Sequence, residues 1–467
     1  MLSCLAVSLS AQATCQEGCL GNDNTVLGDF ALLNSTGGDN TAIGYSALIS
    51  DTTGSANTAV GSSALQSNTT GSENTADGEF ALVVNTTGSF NTAIGDVALG
   101  SNTTGSNNTA TGFRALLFNG TGHDNTATGS NALRENTIGN NNTASGVSAL
   151  QSNSTGTDNT ACGSSALQSN ASGVDNTANG VEALFSNTTG NSNTAIGNNA
   201  LQLNTAGSNN TASGLSALFS NNTGNNNTAA GVSALANNRN GHDNTASGRN
   251  ALFNNTIGSN NVALGSNAGA NLTTGNNNID IGAAGVAGET STIRIGKSGS
   301  QQKTLIAGIS GKTVANGVGV IINSSDQLGT IVSSARFKDD IKPMDKASEA
   351  LLKLKPVTFR YKEDLDPDKI PQFGLVAEEV EKVDPDLVAH DEDGKVMTVR
   401  YEAVNAMLLN EFLKEHRKVQ ELEATVAEQK KGMQVLTRQL EEQAAEIQKI
   451  GTKVDLNEAG SRTIVSN

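Results

Sequence analysis

Reactive residue types are sparse in this chain of 467 residues, and their spacing narrows the chemistry they could perform. There are four cysteines: Cys4, Cys15, Cys19 and Cys162. Cys15 and Cys19 lie four apart and suit a disulfide in an oxidising compartment. Cys162 stands alone in a repeat, at a position that other copies fill with Ile, Val, Ser, Thr or Asn. The histidines, His123, His242, His390 and His416, are scattered, and none has a second ligand at zinc spacing, so no metal site and no cofactor is expected. The acidic run His390-Asp391-Glu392-Asp393-Gly394 lacks the alternating oxygen ligands and distant Glu of a calcium loop. It reads as a solvated hairpin turn ahead of Val396-Met397-Thr398-Val399. Many Asn-x-Thr triplets match glycosylation acceptors, but their presence in most repeats reads as turn chemistry. Residues 21–330 hold no acid/base pair, nucleophile or metal cluster in a defensible arrangement, so any chemistry is confined to the C-terminal part.

The composition explains why. The chain has no Trp, 3% aromatics and 51 Gly, unlike an enzyme built on one large core. Arg114, Arg134, Arg239, Arg249 and Arg294 are the basic residues before Lys297, so 24 of the 29 basic residues follow residue 296. All five prolines, Pro343 to Pro385, fall in that same part. Two physically different halves result. The net charge of −16 disfavours nucleic acid and anionic membrane surfaces. Leu2 to Leu9 is a short apolar segment followed by Ala11-Gln12-Ala13, which reads as a secretion signal over residues 1–13. No later segment has the apolar length of an integral membrane helix, and secretion or cell-surface display is the expected localisation.

The dipeptide Asn-Thr recurs every 17 residues from Asn40, and the register continues through Asn261 to Asn278, fourteen periods without a slip. A period this strict marks a β-solenoid, because one inserted residue would break the stacking of every later coil. The unit approximates N-T-A-x-G-x-x-A-L-x-x-N-T-T-G-x-x, as in Asn57-Thr58-Ala59-Val60-Gly61 and Ala64-Leu65. Each coil reads as two short strands joined by Asn/Gly/Thr turns. The unvarying Ala (Ala42, Ala59, Ala76) faces inward and its neighbour (Ile43, Val60, Asp77) faces outward. Two Ala and one Leu per coil offer little apolar surface against the entropy of ordering the chain. Leu columns of several chains meeting on one axis would supply the rest, and this predicts an oligomer.

The unit resembles the head repeats of trimeric autotransporter adhesins, over roughly residues 21–285. That resemblance implies a three-chain parallel β-roll and an adhesin-like fibre; the amphipathic strands of an outer-membrane anchor are missing here. A β-rich transition is expected over 286–332, with strands at Thr292–Gly296, Thr304–Ala307 and Val318–Ile322.

Four blocks then appear in order: Ser333-x-x-Arg336-x-Lys338, Lys355-Pro356-Val357-x-Phe359-Arg360-Tyr361, Phe373-Gly374-Leu375-Val376-Ala377-Glu378-Glu379-Val380 and Val399-x-Tyr401-Glu402. They resemble the intramolecular chaperone domain of phage endosialidases and tail spikes. The resemblance implies a small α+β chaperone domain over 333–401 that trimerises, guides folding of the β-fibre and is then released by cutting the bond before a serine. It assigns the catalytic dyad to Ser333 and Lys338 and the cut to Val332–Ser333. A serine hydroxyl attacks when a base takes its proton, and a lysine serves once desolvation leaves it neutral. Asp339 and Asp340 could instead keep Lys338 protonated, and a Ser-Ser linker with a solvated lysine is the plain alternative. Over 402–455 a helical region ends in a coiled coil, with Val419, Val426, Met433, Leu440, Ile447 and Val454 at a, and Leu422, Gln429, Leu436, Gln443 and Ile450 at d.

The chain is therefore expected to be a mainly β, secreted or surface-exposed homotrimeric fibre with one self-cleavage per chain as its only enzymatic act. Its host-surface or matrix ligand is not named by any residue. A non-cleaving trimer clamp and a prophage tail-fibre receptor-binding protein are the alternatives.

Overall fold

The computed structural model describes residues 22–461, apart from 298, 302, 308, 310–316, 324 and 392. The expected signal segment and the Cys15–Cys19 pair lie outside the described residues. The chain divides into two compact units, residues 1–305 and 306–467.

The first unit is a parallel β-solenoid with 17-residue coils. Its 17-stranded sheet runs from β1 (Thr25–Leu27) to β17 (Ile293–Ile295), each strand pairing in parallel with the next. Thr stacks on Thr and Ala on Ala, as Thr143↔Thr160 and Ala144↔Ala161 show. The period predicted from Asn40 to Asn278 gains a coil at each end, because Thr25 pairs with Thr41 and Ile279 with Ile293. At a rise of ~4.8 Å per coil, about 16 turns make a stack about 77 Å long.

The coil around Thr143–Ser145 shows how the sequence closes on itself. Ala144 is buried and its neighbours are exposed, as the alternation required. Gly146 follows at φ 140°, and a Cβ there would lie 2.5 Å from the Gly163 carbonyl oxygen of the next coil. Ser148 and Leu150 then take φ 56° and 51°. These left-handed residues cost roughly 1–2 kcal/mol each and turn the Ala-Leu segment back over the strand. Each coil therefore has one three-residue strand rather than the two expected, since a chain with left-handed φ at alternate residues cannot run extended.

That turn also corrects the packing expectation. Leu150 is fully buried, as are its equivalents from Leu48 to Leu252, and the cover comes from the same chain. Burying a Leu contributes roughly 1.5–3 kcal/mol, which offsets much of the roughly 2–4 kcal/mol of the two left-handed residues. The Leu columns therefore form one core inside each chain together with the two Ala columns, and do not meet other chains on an axis.

Two buried asparagine ladders supply what the small apolar core lacks. In one, Asn153 Nδ2 donates to Asn136 Oδ1 (2.8 Å) and to the Gly156 carbonyl (3.0 Å), while its Oδ1 accepts from Asn170 Nδ2 (2.8 Å). In the other, the Asn159 backbone N–H donates to Asn142 Oδ1 (3.1 Å) and Asn159 Nδ2 donates to the Gly173 carbonyl (2.8 Å). The asparagines of the Asn-Thr-Thr triplets, such as Asn68 and Asn85, belong to the first ladder and are fully buried. They are closed to glycan attachment in the folded coil.

The first ladder runs in one direction and its ends are distinct. It starts at Asp51, whose Oδ1 accepts from Asn68 and whose Oδ2 accepts from Ser35. Burial pushes the Asp51 carboxyl up against those hydrogen bonds. It stops at Asn255, whose Oδ1 has no partner, because the next coil carries Leu272 at that position. Two strands later the inward column changes from Ala263 to Asp280 to Arg294. Asp280 is buried, neither of its oxygens has a hydrogen-bond partner, and burial with the nearby Glu289 charge raises its pKa to about 6. Burial opposes charge on Glu289 too, but the Arg294 fork at 2.7–3.0 Å outweighs it and holds that carboxyl below its usual range.

The second unit begins with the hairpin β18 (Val320–Ile322) and β19 (Leu328–Thr330). Val318–Ile322 thus contains the expected strand, whereas Thr304–Ala307 does not form one. Then come the antiparallel pair β20 (Val357–Phe359) and β21 (Gln372–Gly374), helix α1 (Ala377–Val383), the pair β22 (Val388–His390) and β23 (Val396–Val399), and helix α2 (Tyr401–Ser461). The acidic run is the turn of the last pair, with Asp391 Oδ1 accepting the Asp393 and Lys395 backbone N–H groups.

Two outcomes test this fold. Asn153→Ala leaves Asn136 Oδ1 without its donor, leaves the Gly156 carbonyl with Asn142 Nδ2 alone and deprives Asn170 of an acceptor, at about 1–3 kcal/mol per buried group left unmet. It should therefore lower the melting temperature more than Asn255→Ala, which sits where the ladder already ends. Asp280 binds its proton more tightly folded than unfolded, so the penalty for ionising it is absent below pH 3.8 and complete above about pH 6. Asp280→Ala should accordingly stabilise the solenoid at pH 8 and have little effect at pH 3.5 in thermal melts; equal gains at both would show that ionisation is not the cause.

Candidate functional site

The segment that carries the expected dyad is short, extended and open. Ser334 has φ −63° and ψ 138° and leads into a 3-10 turn, Ala335–Phe337, closed by the Lys338 backbone N–H donating to the Ala335 carbonyl (3.1 Å). Arg336 lies over the Phe337 ring at 4.6 Å. Every residue from Ile331 to Asp340 is exposed, including both sides of the Val332–Ser333 bond. Among the described residues, the Ser333 and Lys338 side chains make no hydrogen bond or ion pair, so the single chain does not join them. Asp340 pairs with Lys342 at 3.8 Å, and neither it nor Asp339 is paired with Lys338.

The other three sequence blocks converge. Tyr401 Oη accepts the backbone N–H of Leu375 at 3.1 Å, tying the start of α2 to the end of β21. A Cβ on Gly374 would lie 2.8 Å from that Oη and 3.2 Å from the Phe359 ring. Glycine is required there because two aromatic side chains from the neighbouring blocks close on its backbone. Phe359 meets Tyr361 edge-on at 5.3 Å, and Arg360 donates to the Lys369 carbonyl. Val380, Leu387, Val388, Val399 and Met407 form the buried core, with Met344, Leu351, Leu354 and Val404 packed around it. His390 Nε2 bonds Glu381 Oε1 at 2.9 Å across α1 and β22.

Sequence reading missed a polar clamp. Ser348, fully buried in the 3-10 helix Asp345–Lys353, donates to Glu411 and accepts from Asn410 Nδ2 (2.7 Å) and Lys414 Nζ (3.2 Å) on α2. The hydrogen bond from Lys414 (2.6 Å), and then that from Ser348, hold the Glu411 carboxyl below its usual range. Asn410, Glu411 and Lys414 share one helical face, which was visible in the sequence; nothing there pointed to Ser348. Through this clamp the module packs onto α2 as far as Lys414. From Glu415 to Leu456 the helix is exposed on all sides, and its a and d positions, including Leu422, Leu436 and Leu440, have no cover within the chain.

A single-chain repeat solenoid followed by a small α+β module and a long uncovered helix is the architecture of a fibre that carries its own folding module. Residues 333–389 match the family described as Chaperone of endosialidase, so the chain carries a chaperone-of-endosialidase domain behind its solenoid. That family implies trimer formation. No curated protein and no solved structure matches the chain. Among the described residues, no helix is long and apolar enough to cross a membrane.

Gly374→Ala should destabilise the C-terminal module by about 1–3 kcal/mol through overpacking. Adding Tyr401→Phe, which removes the oxygen the new Cβ would strike, should recover part of that loss in denaturant melts.

Proposed function

We propose that this chain is the subunit of a secreted or surface-exposed, adhesin-like trimeric fibre, whose C-terminal module assembles the trimer and then cuts itself off before Ser333. The uncovered heptad register of α2 carries the reading. Leu and Val at 47–65% exposure, as for Val419, Leu422 and Leu440, are what a helix retains for partner helices. The apolar hairpin residues Val320, Ile322 and Leu328 are equally uncovered. Secretion rests on the Leu2 to Ala13 segment.

The open dyad fits a reaction that waits for assembly. A solvated lysine stays protonated and cannot act as a base; burial of the Ser333–Lys338 segment by partner chains would supply the missing desolvation. Neutral Lys338 then takes the hydroxyl proton of Ser333 as Oγ attacks the Val332 carbonyl carbon. The Val332–Ser333 amide breaks as the Ser333 nitrogen takes that proton, leaving an ester through Oγ. Water hydrolyses the ester to a Val332 carboxylate and a free Ser333. A permanent clamp is the second reading, favoured if the segment stays as open in the trimer as it is in the chain.

The folded protein should split into a fibre ending at Val332 and a piece beginning at Ser333, read by intact mass and N-terminal sequencing. Ser333→Ala and Lys338→Ala should each leave an intact trimer, and Ser334→Ala should still cleave. Truncation after Tyr401 should abolish cleavage, because the helix that brings partner chains is gone. A new N-terminus at Ser334 would move the nucleophile; no release from a well-folded trimer would leave the clamp.

A further inference from the structure

The solenoid has a face whose composition is unlike the rest of the chain. Each strand turns its middle residue inward and its first and third outward. The 17 strands thus present 34 outward positions, and of the 21 charged residues in 22–296 Asp77 alone stands on them. The first column is Thr from Thr25 to Thr245, then Val262, Ile279 and Ile293. The second mixes small polar residues with Leu27, Ile94, Ile196, Leu264, Ile281 and Ile295, all of them exposed. The chain's own core does not use this face, since the Leu and Ala columns are already enclosed.

We propose that this strand face is the surface along which copies of the chain pack side by side, coil against the same coil. The proposal rests on the trimer implied by the C-terminal module. Parallel identical chains held in register place each residue beside its own copy, so every charge on the shared face would meet a like charge. A face almost free of charge is what such a self-contact tolerates, and a partner recognised by charge would find nothing to hold. The size is sufficient as well. About 16 turns at ~4.8 Å and a strand width of about 10 Å give a strip of roughly 770 Å², close to the ~800 Å² per partner of a stable interface.

Cys162 lies in the second column, exposed and free, and reports on the contact directly. The full-length chain with Cys4, Cys15 and Cys19 changed to Ser is first sized by sedimentation and then treated with a short bismaleimide. Cys162 should give a covalent two-chain product on denaturing gels. In a Cys162→Ser chain carrying Thr155→Cys, an exposed site in the turn of the preceding coil, that product should be absent. A trimer in which Cys162 is not crosslinked, or in which position 155 crosslinks instead, overturns the face assignment and leaves the trimer standing. A monomer in sedimentation overturns both. Crosslinking at Cys162 that survives the paired change Ile196→Asp and Thr177→Asp would also overturn it, because charges on the neighbouring coils should part the chains there while the enclosed core keeps each solenoid folded.

Discussion

The amide-to-amide hydrogen bond between asparagines 17 residues apart is the constraint on which the solenoid depends. Each such side chain is fully enclosed, and each must find a donor and acceptors in the coils above and below. A buried amide left unmet costs more than a hydrogen bond gains, so the ladder punishes any departure from the 17-residue step. The left-handed Leu turn, the glycine that lets two backbones approach, and the small Ala columns all fit inside the frame those amides set. Polar satisfaction, more than apolar volume, specifies this core.

Such a core has a cost in folding. Successive coils are nearly identical, so a strand that pairs one coil out of place meets almost the same neighbours and loses little until an end is reached. Parallel pairing of distant segments is slow and exposes edges while it proceeds. A module that fixes the starting register of several chains answers that difficulty, and the chaperone-of-endosialidase domain stands at the end of the chain that could impose it. The Ser348 clamp gives this module a firm hold on α2, so that the helix's uncovered stripe and the domain core behave as one piece.

The repeat, its 17-residue step, the inward Ala and the C-terminal family were legible because each is written in residue type at fixed spacing. The path of the Leu was not. Ala-Leu looks the same in sequence whether its side chain meets its own coils or another chain, and only the left-handed φ at Leu150 and its equivalents decides the matter. The asparagines were readable as turn residues, yet their burial depends on how the coil closes. At the candidate site, Gly374 and Tyr401 lay in quoted blocks, but their contact spans 27 positions and joins segments that share no periodicity. Ser333 and Lys338 lie five residues apart on an open segment around a 3-10 turn, and the single chain does not bring their side chains together.

A solenoid that ended on another Ala coil would expose a ready template, because its last strand would offer unpaired backbone groups over a flush apolar column. The next chain's first coil could add there, and fibres would lengthen without limit. Asp280 and Arg294 interrupt that column in two consecutive strands, and Glu289 fastens the second. The last rungs thus withdraw the flush apolar column on which a further coil would have to stack.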